Sequence, residues 1–408
     1  MRHHLVRLSP MLWLVLVAGA TIAAPASAQD LAPKGPWRVE RSRIGDTTVV
    51  RTVAGSIWGG VARLTEELRI GALDGEPEYT LGRPSCILPL EDGGIWLFDG
   101  SVPALRRYDA AGKHLQTLGR DGAGPGEFRD LCSGLHVDAA GVLSMYDTRN
   151  NRLNRYAADG TNLPAVRSPG RIASARGLIA DRAGRLRVMT TLRPPTLEQE
   201  GRYAFLSILP VGSSPDTLRF PELAGRENDN AEYGPRKVVA WSPLGYFVAG
   251  FSERYAINLY RGPGDVLRIE REAPRVRVGA REKSETMARK EEAYRTDKHH
   301  PPPEVVDPKA PYWLITPGED GRIWVRLHTP SRRGEIPGRI SFTYPPEPVI
   351  GWYEDVVYDV FEPDGRYLGQ VVMPPKTFLG AARGDHLWAI GLGPMDEPYV
   401  VRYRISAR

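Results

Sequence analysis

Beyond the first four residues the chain holds six histidines: His114, His136, His299, His300, His328 and His386. No two of them have the spacing that places a pair of metal ligands on one helix face or one strand face. His299 and His300 are adjacent, ahead of Pro301-Pro302-Pro303, and adjacent side chains of an extended chain point apart. His136 and His328 fall in strand-like segments and could meet groups from elsewhere in the fold, but an inner-strand histidine is ordinarily a packing residue. No G-x-S-x-G nucleophile elbow is present. Gly122 to Gly126 is glycine-rich but lacks the Lys-Ser/Thr and helix of a phosphate cradle, so it reads as a turn. The most site-like piece is Thr329 to Glu354, which holds Arg332, Arg333, Tyr344, Trp352 and Tyr353 among prolines. Paired arginines suit carboxylate or phosphate, and aromatic rings suit sugars or peptide side chains. These five are the candidate binding residues, with packing of Trp352 and Tyr353 back onto the body as the competing use. No metal ligand, cofactor or catalytic residue is assigned.

The elements that must position these residues are announced by a repeat. Asp99 and Asp147 are 48 residues apart, as are Tyr108 and Tyr156, and Gly112 and Gly160. A turn residue, one variable residue and then an apolar strand recur at Gly93, Gly141, Gly184, Gly245, Gly321 and Asp385. Short strands of Val, Ile, Tyr, Phe and Trp lie between Gly- or Asp-bearing turns. A unit of this size cannot bury both faces alone and must stack on copies of itself. The expected fold is all-β: a six-bladed β-propeller over residues 62–408. The sixth unit is one strand short, and Arg63 to Ile70, with Leu64, Leu68 and Ile70 on one face, can close the ring and remove its open edge. The hairpin Trp37 to Ala54, within an extension spanning 29–61, either adds outer strands or begins a seventh blade.

The first 28 residues read as a signal peptide. Arg2 and Arg7 precede an apolar run from Met11 to Ala24, and Ala26-Ser27-Ala28 is a small-residue cleavage site. The expectation is an exported, periplasmic or extracellular protein with no transmembrane segment. Without Arg2 and Arg7 the net charge drops from +5 to +3. Basic residues are scattered among acids, so no nucleic-acid footprint is read. Cys86 and Cys132 open the innermost strands of neighbouring units. Export permits a disulfide, while two buried thiols remain equally consistent, because unequal turn lengths leave the side-chain parity open.

Gly122-Ala123-Gly124-Pro125-Gly126-Glu127-Phe128, followed by Leu135 to Gly141 and by Tyr146-Asp147 with Asn150, Arg152 and Leu153, resembles an NHL repeat. The whole chain is similar to exported bacterial six-bladed propellers related to NHL proteins. The strict motif covers residues 119–160; later units keep the turns and lose the Asp-Asn-Arg signature. The resemblance implies the fold. It implies function poorly, because propellers host lactonases, lyases and pure binding modules. In the enzymes, Glu, Asn and Asp at the channel mouth hold a metal; no acid or amide recurs here from unit to unit. Asp99 and Asp147 are expected to satisfy loop amides.

In a four-stranded blade the A–B and C–D turns share one face and the B–C loops and crossovers share the other. Here the long segments, Leu192 to Gly201, Pro221 to Pro235, Glu272 to Pro311 and Thr329 to Glu354, all fall in the second set. Insertions gathered on one face build a binding surface. The insertion 272–311 carries one predicted helix, Ala280 to Thr296, pinned by Met287 and Tyr294, with Glu282, Glu285, Arg289 and Lys290 in solvent. The favoured reading is therefore a monomeric, non-enzymatic module that binds a protein, peptide or glycan through this face. The alternative is a lactonase- or lyase-type enzyme with Ca²⁺ or Zn²⁺ in the channel.

Overall fold

A computed structural model describes residues 31–129, 131–167, 177–192, 202–210, 216–296, 298, 301–340 and 348–407, together with the two-residue strand Thr21–Ile22, which pairs with Arg63–Ile70. The rest of the signal peptide, His299, His300, Tyr344 and most of the loop Leu192 to Gly201 lie outside the described residues.

The recurring turn has a backbone reason. Gly93, Gly141, Gly184, Gly245 and Gly321 all adopt φ between 72° and 85°, the left-handed region in which a Cβ is costly. Aspartate side chains complete several turns: Asp138 Oδ1 accepts from Ala140 N and Val142 N, and Asp181 Oδ1 from Ala183 N and Arg185 N. The strand that follows is apolar because neighbouring blades cover both of its faces. Ile95–Asp99, Leu143–Asp147 and Val357–Phe361 are buried at every position. Outer strands such as His114–Leu118 alternate instead.

Six sheets follow in order, each antiparallel from the channel outward. Blade one is Pro84–Pro89, Ile95–Asp99, Ala104–Tyr108 and His114–Leu118. Blade two is Cys132–Val137, Leu143–Asp147, Arg152–Tyr156 and Asn162–Arg167. Blade three is Leu178–Ala180, Leu186–Leu192, Arg202–Ser207 and Thr217–Arg219. Blade four begins Lys237–Ser242, Tyr246–Phe251, Ala256–Gly262 and Asp265–Arg271, and blade five is Tyr312–Pro317, Ile323–Leu327, Val357–Phe361 and Tyr367–Val372. Blade six joins Thr377–Arg383, His386–Leu392 and Pro398–Ser406 to Arg63–Ile70, so the N-terminal strand closes the ring.

The N-terminal hairpin, Arg38–Ile44 and Thr47–Ala54, extends blade four. Thr47–Ala54 runs parallel to Asp265–Arg271, with Val50 opposite Ile269, and makes outer strands rather than a seventh blade. Cys86 and Cys132 form a disulfide between the inner strands of blades one and two. Buried charges are paired. Asp99 Oδ2 accepts from Arg106 at 2.9 Å, and Asp99 also accepts the amides of Gly82, Arg83 and Ser101, the structural role its sequence position suggested. Asp359 accepts from Arg271 at 2.6 Å, Tyr255 at 2.5 Å, Tyr367 at 2.7 Å and Gln370 at 3.1 Å, which ties blade four to blade five.

Candidate functional site

The insertions form one cap. Between the second and third strands of blade five rises a hairpin, Ser331–Ile340 and Pro348–Glu354, which pairs only with itself. The crossovers into blades four and five meet where Ala231–Glu232 runs parallel to Glu304–Val305. Helix α1, Ala280–Thr296, packs on them through Met287 against Tyr233, Val278 and Val305. Tyr294 is half-buried and stands outside that cluster.

The face of α1 differs from its sequence expectation. Its buried residues are Glu282 and Thr286. Glu282 reaches back to the Gly279 amide at the helix start, 3.3 Å away, in the manner of a capping box. It also pairs with Lys309 at 3.1 Å. The Lys309 side chain is 0% exposed. Its ammonium donates to Thr329 O (3.1 Å), Ser331 Oγ (2.6 Å) and Glu354 Oε1 (2.8 Å), and lies 3.9 Å from the centre of the Tyr233 ring. His328 Nδ1 sits 2.9 Å from Glu354 Oε2, with its ring edge-on to Tyr233. Burial alone would push the Glu354 carboxyl up; His328 and Lys309 outweigh it and hold the group below the usual carboxylate range. One ammonium thus joins helix, crossover, hairpin and blade. Glu285 and Lys290 are engaged as well: Glu285 accepts from Arg333 Nε (2.9 Å) and Trp352 Nε1 (3.0 Å), and Lys290 pairs with Glu232 at 3.3 Å.

Beneath the hairpin, over the junction of blades five and six, lies a cavity of about 480 Å³, within the range of small-molecule sites. Arg332, Trp352 and Tyr353 line it together with Arg326, Met373 and Phe378. Of the five sequence candidates, these three converge on the cavity. Arg333 is turned to α1, and Tyr344 falls outside the described residues. Arg332 is ion-paired with Asp355, so the two arginines hold the hairpin in place before they meet any ligand.

Arg326, Lys309 and Glu354 were not among the sequence candidates. Arg326 carried a signal, because it is the single charge in the otherwise apolar strand Ile323–Leu327. Lys309 carried none; its partners come from distant parts of the chain.

The channel offers little to a metal. No Asp or Glu occurs on the six inner strands, and hard cations need such oxygen ligands. Among the described residues no group of three His, Cys, Asp or Glu is placed to hold an ion. Among the described residues, then, no donor set for Ca²⁺ or Zn²⁺ is assembled at the channel. Nor is any helix among the described residues long and apolar enough to cross a membrane.

No protein-family model matches the sequence, and no curated protein matches it. The fold is shared with a protein of Bacteroides fragilis described as exported, at 11% identity over 88% of this chain and 99% of that one, TM-score 0.50. It is shared also with a member of the DUF4221 family from Bacteroides vulgatus, at 13% identity over 86% and 99%, TM-score 0.51. A gluconolactonase from Xanthomonas campestris superimposes more loosely, at 14% identity over 95% and 100%, TM-score 0.41. At these identities the likeness is one of fold.

Proposed function

We propose that this chain is an exported binding module whose ligand site is the cavity under the inserted hairpin. The observation that carries the reading is the cap itself. The hairpin, α1 and two crossovers, all on one face, are joined at Lys309 and roof a cavity lined by Arg332, Trp352 and Tyr353. Rigid aromatic rings beside cations are the usual composition of a recognition surface. Export is supported by the basic and apolar leader and by the description of the Bacteroides fragilis relative. Lactonase or lyase chemistry through a channel metal is the alternative reading, for which no group of three His, Cys, Asp or Glu is assembled among the described residues.

The test is a thermal-shift screen of the purified protein against sugars, short peptides and small organic acids, repeated on Tyr353→Ala and Trp352→Ala. A stabilising compound whose effect disappears in both variants, while their unliganded melting temperatures stay near that of the parent, is the expected result. A compound that stabilises parent and variants alike would place the site elsewhere and sink the assignment.

A further inference from the structure

We infer that the cavity under the hairpin selects an organic anion: an apolar molecule carrying one carboxylate, received by Arg326. The inference rests on the binding reading above and adds the chemical class of the ligand.

Arg326 lies in a strand whose other four residues are all buried. Its guanidinium carbon sits 4.3 Å from the centre of the Trp313 ring. Its Nε is buried with no acceptor, and no carboxylate among the described residues pairs with it. Burial lowers its affinity for a proton, though an arginine keeps its charge at neutral pH. Of the other buried arginines of the ring, Arg152 donates to the carbonyls of Ala123, Gly124 and Glu127, and others have a carboxylate partner. Arg106 has Asp99, Arg187 has Asp181 and Asp216, and Arg271 has Asp359.

The charges around the cavity strengthen the contrast. Glu354 is matched by Lys309 and His328, Asp355 by Arg332, Glu232 by Lys290 and Lys376 by Asp396. Arg326 is the lining charge that makes no ion pair; Glu354, already paired with Lys309 and His328, acts on it only through space. A guanidinium with an orphan donor and no ion-pair partner is the natural complement of a carboxylate, which it can bind through two parallel hydrogen bonds. The rest of the wall is apolar. Phe378, 44% exposed although it sits on an inner strand, joins Met373, Pro375 and Tyr353. A ligand matching this wall has a hydrophobic body behind its charged end.

The probes are 4-phenylbutyrate and octanoate, each against its alcohol, 4-phenyl-1-butanol and 1-octanol, titrated calorimetrically into the purified protein. The acids should bind roughly ten- to a hundredfold tighter than the alcohols, the range expected of a hydrogen bond to a charged group. Arg326→Gln should abolish the preference, and Arg326→Lys should restore part of it. Phe378→Ala should weaken acid and alcohol by the same factor, which keeps the test open if Arg326→Gln fails to fold. Equal binding of acid and alcohol, or a preference that survives Arg326→Gln, overturns the inference. If Phe378→Ala or Tyr353→Ala still weakens both probes in that case, the cavity remains a binding site without charge selection. No binding of either acid at millimolar concentration also overturns it.

Discussion

Replacing Lys309 with methionine should free helix α1 from the ring without unfolding the blades. The side chain is wholly buried and faces two carboxylates, Glu282 at 3.1 Å and Glu354 at 2.8 Å, with Ser331 Oγ and Thr329 O as further acceptors. Methionine fills similar space and removes the charge. Breaking a buried ion pair from one side costs about 3–5 kcal/mol, because the partner is left charged and dry. Here two partners are stranded, but only until the cap opens and water reaches them, so the cost is capped by the opening free energy of the insertion. A loss of about 3 kcal/mol accelerates exchange through that opening by roughly a hundredfold. Hydrogen exchange followed by mass spectrometry would read it: amides of Ala280–Thr296 should lose protection by that factor. Those of Ile95–Asp99, buried in blade one far along the chain, should not change. Adding Glu282→Gln and Glu354→Gln to Lys309→Met should return most of the protection, since removing a whole buried ion set is often near neutral. A change below about fivefold in the single variant, or equal acceleration in blade one, would refute the picture of Lys309 as the joint of the cap.

Three further outcomes follow from other parts of the molecule. Asp359→Asn, which weakens four buried donors around one carboxylate, should lower the free energy of unfolding by about 3 kcal/mol or more in a urea titration; a shift under about 1 kcal/mol would show that the network is slack. Reducing the Cys86–Cys132 disulfide, which closes a 46-residue separation, should cost about 4 kcal/mol in the chain-entropy account, read as a lower urea midpoint with reductant than without, and an unchanged midpoint would count against the bond as a stabiliser. The Glu354 carboxyl is held below its unfolded value of about 4.3, so its contribution is complete above that pH and is lost as pH falls through the lower folded value. Glu285, held down to about 2 by Arg281 and Arg333, releases Trp352 only in strongly acid solution. The Trp352 share of the emission, read as the difference between the parent and Trp352→Phe, should therefore be flat from about pH 5 to 8 and change only in more acid solution; a transition of that difference within the neutral window would contradict the assignment.

The ring was legible because its signals are local. A left-handed turn needs glycine, a strand covered on both faces needs unbroken apolar residues, and the closing strand showed one apolar face. The N-terminal hairpin was visible as a hairpin, but not its place, because nothing in Thr47–Ala54 alone says that it will lie parallel to Asp265–Arg271. The helix span was readable and its orientation was not. Charge normally marks the solvent face, and Glu282 breaks that rule because Lys309 waits beyond the end of the helix. Arg332, Trp352 and Tyr353 were found by residue type and do line the cavity. Arg332 and Arg333 were chosen by residue type; their pairing with Asp355 and Glu285 was invisible at the level of sequence.

That pairing changes how the cap is understood. A cation already matched by a carboxylate must exchange one partner for another to bind an anion, and the exchange gains little. Arg332 and Arg333 also fix the hairpin against blade and helix, as Lys309 fixes the helix against the ring. The cap is held largely by charged contacts around a small apolar cluster of Tyr233, Val278 and Val305. Contacts of this kind add little net stability but are directional, so they select one placement of the hairpin over its alternatives. A cavity roofed in that way is formed before its ligand arrives, which lowers the ordering cost of binding. What remains for the ligand is the group that the cap leaves unmatched, and that group is Arg326.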